Sequence, residues 1–268
     1  MPEKANVNNT ADDILKVFKE LRLGGMTDEF KAQNNDLGTY GAMSFSERLL
    51  KICMAEKEKR DRNSLAARLK EAKLINPMAC LENVVVDANR TLNMELLTSL
   101  ATCKFISQKR HISLEGATGT GKSYLASAIG NAACRNHFKV RCVRLPDLLN
   151  ELLVARRQGE TNIVRDSYLK YDLMIFDDFL LMPITVDYTF ELLDIINACL
   201  GKCSMIFCSQ YPNTEWYQRI DSDRTAGSDS TLAEAVLDRI IHHMDVITIS
   251  SKQSMRSFYD PSGEPSKK

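Results

Sequence analysis

Residues 116–123 read Gly-Ala-Thr-Gly-Thr-Gly-Lys-Ser, and this stretch constrains the fold of the 268-residue chain more than any other. Its spacing, G-x-x-x-x-G-K-[ST], is that of a phosphate-binding loop. An apolar stretch at 112–114 precedes it, and a helix-forming stretch at 124–134 follows it. A strand, a glycine-rich loop and a helix in this order direct backbone N–H groups and a helix N-terminus toward phosphate groups. The stretch therefore predicts a nucleotide site in an α/β domain.

The residue types of this loop fit ATP and Mg²⁺. The glycines let backbone amides turn toward the phosphates. Lys122 would neutralise the β- and γ-phosphates, and the Ser123 hydroxyl would hold Mg²⁺. We therefore expect the nucleotide to contact Gly116, Ala117, Thr118, Gly119, Thr120, Gly121, Lys122, Ser123 and Tyr124.

A second apolar stretch, Leu-Met-Ile-Phe at 173–176, ends in the two acids Asp177 and Asp178. This pattern is typical of a buried strand whose C-terminal tip meets the phosphates. We expect Asp177 to orient Mg²⁺ through a water and Asp178 to polarise the attacking water. An acid at the second position favours hydrolysis over binding alone. The alternative is a pair of acids that merely caps a strand.

The next apolar stretch, 203–208, is followed by Ser209 and Gln210. In a parallel sheet, ligands lie beyond the carboxyl ends of the strands. Ser209 and Gln210 are therefore candidates to hydrogen-bond the γ-phosphate or the attacking water. The alternative is a strand-ending turn, which Pro212 and Asn213 favour.

After a connecting region at 75–109, apolar stretches alternate with helical ones, which predicts a parallel sheet covered by helices on both faces. The preceding residues are predicted to be helical, so we expect domains at 1–75 and 76–268. Residues 48–73 hold nine Lys or Arg and four Asp or Glu within one long helical pattern. This excess of positive charge favours either a solvated helix face or a contact surface for DNA or a partner protein.

Composition excludes several classes of protein. The 35 Lys and Arg equal the 35 Asp and Glu, so a uniformly basic nucleic-acid coat is excluded. No apolar run approaches the roughly 18 residues of a membrane span, and the N-terminus lacks a signal core, so we expect a cytoplasmic protein. The eight cysteines form no C-x-x-C pair and are expected to be reduced, mostly buried thiols. The pair His242 and His243 has no acid or thiol at ligand spacing and is expected on a helix surface.

Five motifs occur in one order along the chain: GATGTGKS, LMIFDDF, CSQYPNTEW, TLAEAVLDRI and SKQSMR. Together they resemble the IstB/DnaC branch of the AAA+ ATPases, and most of all the IstB proteins, which are helper ATPases of insertion-sequence transposition. The resemblance covers nearly the whole chain. It implies an AAA+ ATPase domain after a small all-α domain, and an ATP-dependent factor that assembles on target DNA and recruits or activates a transposase.

The resemblance also implies roles for individual residues. Gln210, with Ser209 beside it, matches the sensor-1 position that contacts the γ-phosphate. Arg239 matches the arginine finger, which reaches an ATP site at the interface with a neighbouring copy in a homo-oligomer. Arg256 matches the sensor-2 arginine. The loop at 220–230 is longer than usual, so Arg219 or Arg224 could share this charge-sensing role.

DNA contacts are expected from the basic section at 135–170, which holds eight basic and four acidic residues. In related ATPases the corresponding helical segment faces DNA, so Arg156 and Arg157 are candidates for contacts with the phosphates of duplex DNA, independent of sequence. The alternative is a solvated helix end. Trp216 is expected to be a packing anchor between the stretch at 209–215 that carries Gln210, here called the sensor loop, and the helix that carries Arg239.

Two other functions remain open at this level. A DnaC-like replicative helicase loader would share the ATPase core and differ in the partner of its N-terminal domain. A P-loop kinase that acts on a small molecule would be a monomer without any need of Arg239.

Overall fold

The computed structural model of the chain describes residues 7–86, 91–220, 222, 231–251 and 254–255. The chain divides into two compact units, Met1–Ala67 and Arg68–Lys268. The expected domains 1–75 and 76–268 stay a prediction. In the described ranges, no helix is both long and apolar enough to cross a bilayer.

The N-terminal part of the chain is helical, as the sequence predicts. Its helices are α1 Val7–Glu20, α2 Gly24–Asn35, α3 Leu37–Tyr40 and α4 Phe45–Ala72. The Ser44 N–H donates to Glu47 Oε2 at 2.8 Å, and the Glu47 N–H donates to Ser44 Oγ at 3.4 Å. This reciprocal pair is a capping box, which stabilises the first turn of α4. Lys73 follows α4 in the left-handed conformation, with φ +49°.

Helix α2 approaches α4 closely at Gly25. A Cβ atom on Gly25 would lie 2.5 Å from the carbonyl oxygen of Ala55, so only glycine fits without a shift of the helices. The Gly25 N–H donates to Glu56 Oε2 at 2.7 Å. The nearly buried Glu56 carboxylate thereby satisfies an amide that the first turn of a helix leaves unpaired.

The second unit alternates strands with helices. After the last turn of α4 its elements are α5 Met94–Ala101, α6 Lys104–Ser107, β1 His111–Glu115, α7 Lys122–Arg135, β2 Val140–Arg144, α8 Leu145–Gln158, α9 Thr161–Tyr168, β3 Leu173–Asp177, α10 Val186–Cys199, β4 Ser204–Ser209, α11 Trp216–Arg219, α12 Thr231–Ile241 and β5 Met244–Thr248.

The strands form one parallel sheet in the order β2-β3-β4-β1-β5. Glu115 pairs with Ser209, and Phe176 pairs with Phe207. The carboxyl ends of β1, β3 and β4 therefore lie side by side at one edge of the sheet. The prediction of an α/β domain with a central parallel sheet is confirmed.

Aromatic side chains fill the core behind this edge. Phe176 stacks on Phe207 with ring centroids 5.5 Å apart, and Phe179 meets Phe207 edge-on at 4.7 Å. All three side chains are fully buried, together with Trp216. Such contacts add to the apolar burial and hold the segments after β3 and β4 against the sheet.

The region 75–109 contains α5 and α6, whereas the sequence predicts only a connection there. The Asn93 side chain caps α5 by accepting from the Leu96 N–H at 2.8 Å, and Leu97 and Leu100 are buried. Helices of four to eight residues leave too short a periodic pattern to be recognised in sequence.

All eight cysteines are free thiols, as expected. Six of them are buried, whereas Cys53 is exposed and Cys80 is half-buried.

Candidate nucleotide-binding site

The phosphate-binding loop lies between the end of β1 and the start of α7, as the sequence predicts. Gly116 has φ +151° and Gly119 has φ +84°, conformations that favour glycine. A Cβ atom on Gly116 would lie 2.1 Å from the carbonyl oxygen of Ile249. Glycine is therefore required at Gly116 both by its backbone conformation and by the close approach of the segment after β5.

Lys122 begins α7 and folds back over the loop. Its Nζ donates to the carbonyl oxygens of Gly116 at 2.6 Å and Ala117 at 2.9 Å. Burial lowers the pKa of Lys122, while the charges of Asp177 and Asp178 act in the opposite direction. The nearly buried Lys122 ammonium is held only by neutral carbonyls in these two contacts, so an anionic ligand in the loop would stabilise its charged form.

Ser123 and Asp177 meet at the centre of the site. Ser123 Oγ donates to Asp177 Oδ1 at 2.8 Å. Burial raises the pKa of Asp177, and the hydrogen bond from Ser123 opposes this shift. A hydroxyl and a carboxylate, both hard oxygen donors, are ligands that suit Mg²⁺. The two residues predicted to hold the metal are thus brought together.

Asp178 forms an ion pair that the sequence does not predict. Arg144, the last residue of β2, donates from Nε at 2.9 Å and from Nη2 at 2.8 Å to the same oxygen, Asp178 Oδ2. Arg144 pairs with Asp177 in the parallel register of β2 and β3, which brings it beside the following acid. The sequence feature that could have indicated this ion pair is an arginine at the end of a predicted strand.

Gln210 lies against the phosphate-binding loop, where its Oε1 accepts from the Thr118 hydroxyl at 2.8 Å. Ser209 is fully buried, and its Oγ accepts from the Trp216 indole N–H and from the Tyr211 N–H, each at 3.2 Å. The structure thus joins Gln210 to the loop and gives Ser209 internal partners. The nucleotide contact expected of Ser209 stays a prediction.

Trp216 anchors the sensor loop, as expected. Its side chain is fully buried, meets Phe179 edge-on at 4.7 Å, and donates from Nε1 to the Tyr211 carbonyl at 3.1 Å. It belongs to the same apolar core as Ala233 and Val236 of α12, the helix that carries Arg239.

Glu115, at the end of β1, also supports the sensor loop. Its Oε1 accepts from the Asn213 N–H at 3.1 Å and from the Ser113 hydroxyl at 2.9 Å. This role of Glu115 was not predicted, although an acid directly before a phosphate-binding loop is visible in the sequence.

Arg219 is committed to backbone groups of the segment after β3. Nε donates to the Leu180 carbonyl at 2.6 Å and Nη2 to the Leu181 carbonyl at 2.5 Å. The guanidinium carbon lies 3.6 Å from the centroid of the Tyr211 ring. This arrangement does not support the alternative that Arg219 senses phosphate charge. Arg224 lies outside the described residues.

Of the two other arginines with predicted roles, Arg239 lies within the described residues and Arg256 does not. Arg239 lies on α12 and donates to the Ala235 carbonyl of its own helix. Among the described contacts, none joins Arg239 to the phosphate-binding loop of the same chain. Arg256 lies outside the described residues, but its neighbour Met255 donates from its N–H to the Gly119 carbonyl at 2.7 Å. The C-terminal segment therefore reaches the loop.

Arg156 and Arg157 lie in the last turn of α8, which ends at Gly159 in the left-handed conformation. Arg156 Nε lies 2.6 Å from Oε1 of Glu191, a carboxylate without any exposed surface. Arg157 is exposed. The ion pair leaves Arg156 less free than Arg157 to meet a DNA phosphate, and both contacts stay predictions.

His242 lies within hydrogen-bond distance of Asp238, one turn earlier on α12, with 3.1 Å between Nε2 and Oδ1. In the part of the chain that is described, no three His, Cys, Asp or Glu side chains cluster as a metal site. Both histidines are exposed, but they lie in the turn directly after α12 rather than on the helix itself.

Comparisons with known proteins agree with this geometry. Residues 16–259 match the family described as IstB-like ATP binding protein. An insertion sequence ATP-binding protein of Sinorhizobium fredii is 34% identical over 92% of this chain and 96% of its own length. The ATP-binding protein of an insertion sequence from Pseudomonas fluorescens is 34% identical over 75% of this chain and 86% of its own length.

A solved structure, AMPPCP-bound DnaA from Aquifex aeolicus, has a TM-score of 0.51 over 69% of this chain and 54% of that protein, at 20% identity. This likeness supports the AAA+ fold that the resemblance implies. Given the match over most of its length and the two relatives at 34% identity, the chain belongs to the family of IstB-like ATP-binding proteins of insertion sequences.

Proposed function

We propose that the chain is an ATP-hydrolysing helper protein of transposition, which assembles on duplex DNA and recruits or activates the transposase of the same element. The observation that carries this proposal is the convergence of Lys122, the Ser123–Asp177 pair, Asp178 and Gln210 at one edge of the sheet. A site for a nucleoside triphosphate needs cationic, metal-binding and γ-phosphate-contacting groups within reach of one another.

Nucleotide binding would replace the internal partners of the loop. Phosphate oxygens would take over the Lys122 ammonium from the Gly116 and Ala117 carbonyls, while the amides at the start of α7 would donate to the phosphates. The pKa of Lys122, which burial lowers, would then rise, because an anionic partner favours the charged form.

Mg²⁺ fits the oxygen donors of Ser123 and Asp177, which lie within 2.8 Å of each other. When bound, the ion would offset negative charge on the β- and γ-phosphates. The pKa of Asp177, raised by burial, is consistent with a carboxylate that needs a cation nearby.

Hydrolysis would be assisted by Asp178 and Gln210. A water oxygen would attack the γ-phosphorus, the bond to the β–γ bridging oxygen would break, and Asp178 would orient the water and draw its proton. Arg144 competes for this carboxylate, because it already holds Oδ2. Gln210 would contact the γ-phosphate, which requires it to exchange the Thr118 hydroxyl for a phosphate oxygen.

Arg239 would act on a neighbouring copy. Its only described hydrogen-bond acceptor is on its own helix, so a role toward γ-phosphate is best supplied across an interface between copies. An arginine finger supplied by another copy makes hydrolysis depend on assembly, with a rate effect on the order of 10³-fold or more.

Two observations support DNA and a transposase as the partners. The named relatives belong to insertion sequences, which favours a transposase over a replicative helicase as partner. In addition, α4 combines an excess of basic residues with exposed apolar side chains, of which Phe45 is 78% and Leu50 62% exposed. These side chains favour the contact-surface interpretation of α4 over a merely solvated face.

The proposal is tested by steady-state ATP hydrolysis with and without duplex DNA. We expect measurable turnover for the wild type, and its loss in Lys122→Ala and Arg239→Ala. Lys202→Ala, a change at an exposed turn before β4, serves as the control and should match the wild type. Absence of any effect of DNA on turnover or assembly would contradict the DNA-dependent part, and co-purification with a hexameric helicase would favour a loader.

A further inference from the structure

We propose that Arg219 is a positioning residue that couples the segment carrying Asp178 to the loop carrying Gln210. This inference rests on the proposed function, since those two residues are its predicted γ-phosphate and water contacts. The segment 178–184 follows β3, and the sensor loop, 209–215, begins at the last residue of β4. Arg219 bridges them from α11 with one side chain.

The segment 178–184 needs outside support to hold its shape. Asp178 has φ +53° and Leu180 has φ +51°, which are unfavourable conformations for residues other than glycine. The Arg219 side chain donates to the carbonyls of Leu180 and Leu181, which come soon after Asp178 in the chain. The guanidinium therefore fixes the segment where its backbone is least favourable.

The backbone of Arg219 adds a second attachment to the same segment. Its carbonyl accepts from the Ile184 N–H at 2.8 Å. Asp178 thus lies in a segment that is held at Leu180 and Leu181 by the side chain and at Ile184 by the main chain of one residue.

The N–H groups at the edge of the guanidinium make these hydrogen bonds, and its planar face contacts Tyr211 of the sensor loop. It stacks on the Tyr211 ring at 3.6 Å, a distance that allows a cation–π contact. Tyr211 directly follows Gln210, and its carbonyl accepts from the Trp216 indole. A shift of Gln210 toward a γ-phosphate would therefore pull on the stack and, through it, on the segment of Asp178.

Arginine is required for this geometry. The planar guanidinium donates to two neighbouring carbonyls and stacks at the same time, whereas a lysine ammonium can keep the charge but not both contacts. Arg219→Lys is therefore the informative variant, and Arg219→Met is the stronger one. Arg165→Lys is the matched control, since Arg165 on α9 is partly buried like Arg219, whereas its partners are the carboxylates of Asp166 and Asp194.

The experiment combines amide hydrogen exchange without nucleotide, Trp216 fluorescence and ATP hydrolysis, with melting temperatures to confirm folding. Trp216 is the only tryptophan of the chain, so its emission reports on this junction alone. In Arg219→Lys we expect faster exchange in both 178–184 and 209–215. We also expect the difference in emission between ADP and a non-hydrolysable ATP analogue to be lost.

Turnover should fall by about tenfold to hundredfold, which is typical of a misplaced catalytic group, while the dissociation constant of ADP stays within about twofold. Arg165→Lys should behave as the wild type. Faster exchange in only one segment, or a retained fluorescence response and turnover in Arg219→Lys, would overturn the coupling. A wild-type protein that binds no nucleotide would contradict the proposed function instead, and the exchange result would still decide whether Arg219 links the two segments.

Discussion

Asp178 is held by Arg144 through one carboxylate oxygen, with both nitrogen contacts within 2.9 Å. Hydrogen bonds between ionised groups are stronger than neutral ones. The Asp178 carboxylate, which would orient an attacking water, is therefore restrained by one neighbouring side chain, Arg144.

Replacement of Arg144 by Met should raise ATP turnover without DNA by about two- to fivefold, because it removes a partly exposed ion pair, worth about 0.5–1 kcal/mol, that restrains Asp178. Steady-state phosphate release measures this effect. Arg144→Lys keeps the positive charge but cannot donate from two nitrogens at once. Its turnover should lie between those of the wild type and Arg144→Met. Asp178→Asn, which lacks the carboxylate, gives the reference for a lost water contact. If Arg144→Met is as slow as Asp178→Asn, Arg144 supports hydrolysis instead of restraining it.

His111 should make the stability of the fold sensitive to acid. It is 1% exposed, its Nδ1 accepts from the Met205 N–H, and burial lowers its pKa to about 4 from an ordinary value of 6.5, with smaller effects of His243 and Arg110. The unfolded chain takes up this proton near pH 6.5, and the folded chain only near pH 4.

The contribution of His111 to stability is therefore complete above pH 6.5 and decreases as the pH falls toward 4, by about 3 kcal/mol in all. Urea unfolding at pH 7.5 and pH 4.5 measures it. His111→Gln should lose less stability between these pH values than the wild type. An equal loss in both proteins would contradict the assignment to His111.

At the scale of elements, close packing between helices depends on small residues at defined places. Helix α2 meets α4 at Gly25, where a Cβ atom would lie 2.5 Å from the Ala55 carbonyl oxygen. Gly38, on α3, offers a comparison, since a Cβ atom there would meet only the Asp36 side chain at 3.4 Å.

Gly25→Ala should reduce the free energy of unfolding of the N-terminal unit by about 1–3 kcal/mol, because the helices must move apart. Gly38→Ala should leave it within about 0.5 kcal/mol, as for most surface changes. Chemical denaturation followed by circular dichroism compares the two. Equal stabilities would mean that α2 and α4 do not pack as described.

Strand and helix patterns predict most of the second unit, because apolar strands, the glycine-rich loop and α7 are encoded by neighbouring residues. The pairing of Arg144 with Asp178 was not predicted, since it depends on β2 lying beside β3 in the sheet. The internal partners of Ser209 were not predicted for a similar reason: the indole of Trp216 folds back seven residues and donates to the Ser209 hydroxyl oxygen.

At the scale of the whole molecule, the chain joins an ATP site to a helical unit that presents charge and apolar side chains. The family places it among insertion-sequence proteins. Among the described arginines, Arg144 is paired with Asp178, Arg219 donates to the Leu180 and Leu181 carbonyls, and Arg239 donates within its own helix. Under the proposed function, assembly of several copies would bring an Arg239 to the site of a neighbouring copy.

Mixing two inactive variants tests this central claim most directly. Lys122→Ala has an intact Arg239 and an impaired loop, whereas Arg239→Ala has the reverse. If Arg239 acts across an interface, an equal mixture on duplex DNA should recover roughly a quarter of the wild-type rate of ATP hydrolysis, because half the sites are intact and half of those adjoin a copy with the arginine. A mixture as inactive as either variant alone would contradict a shared site.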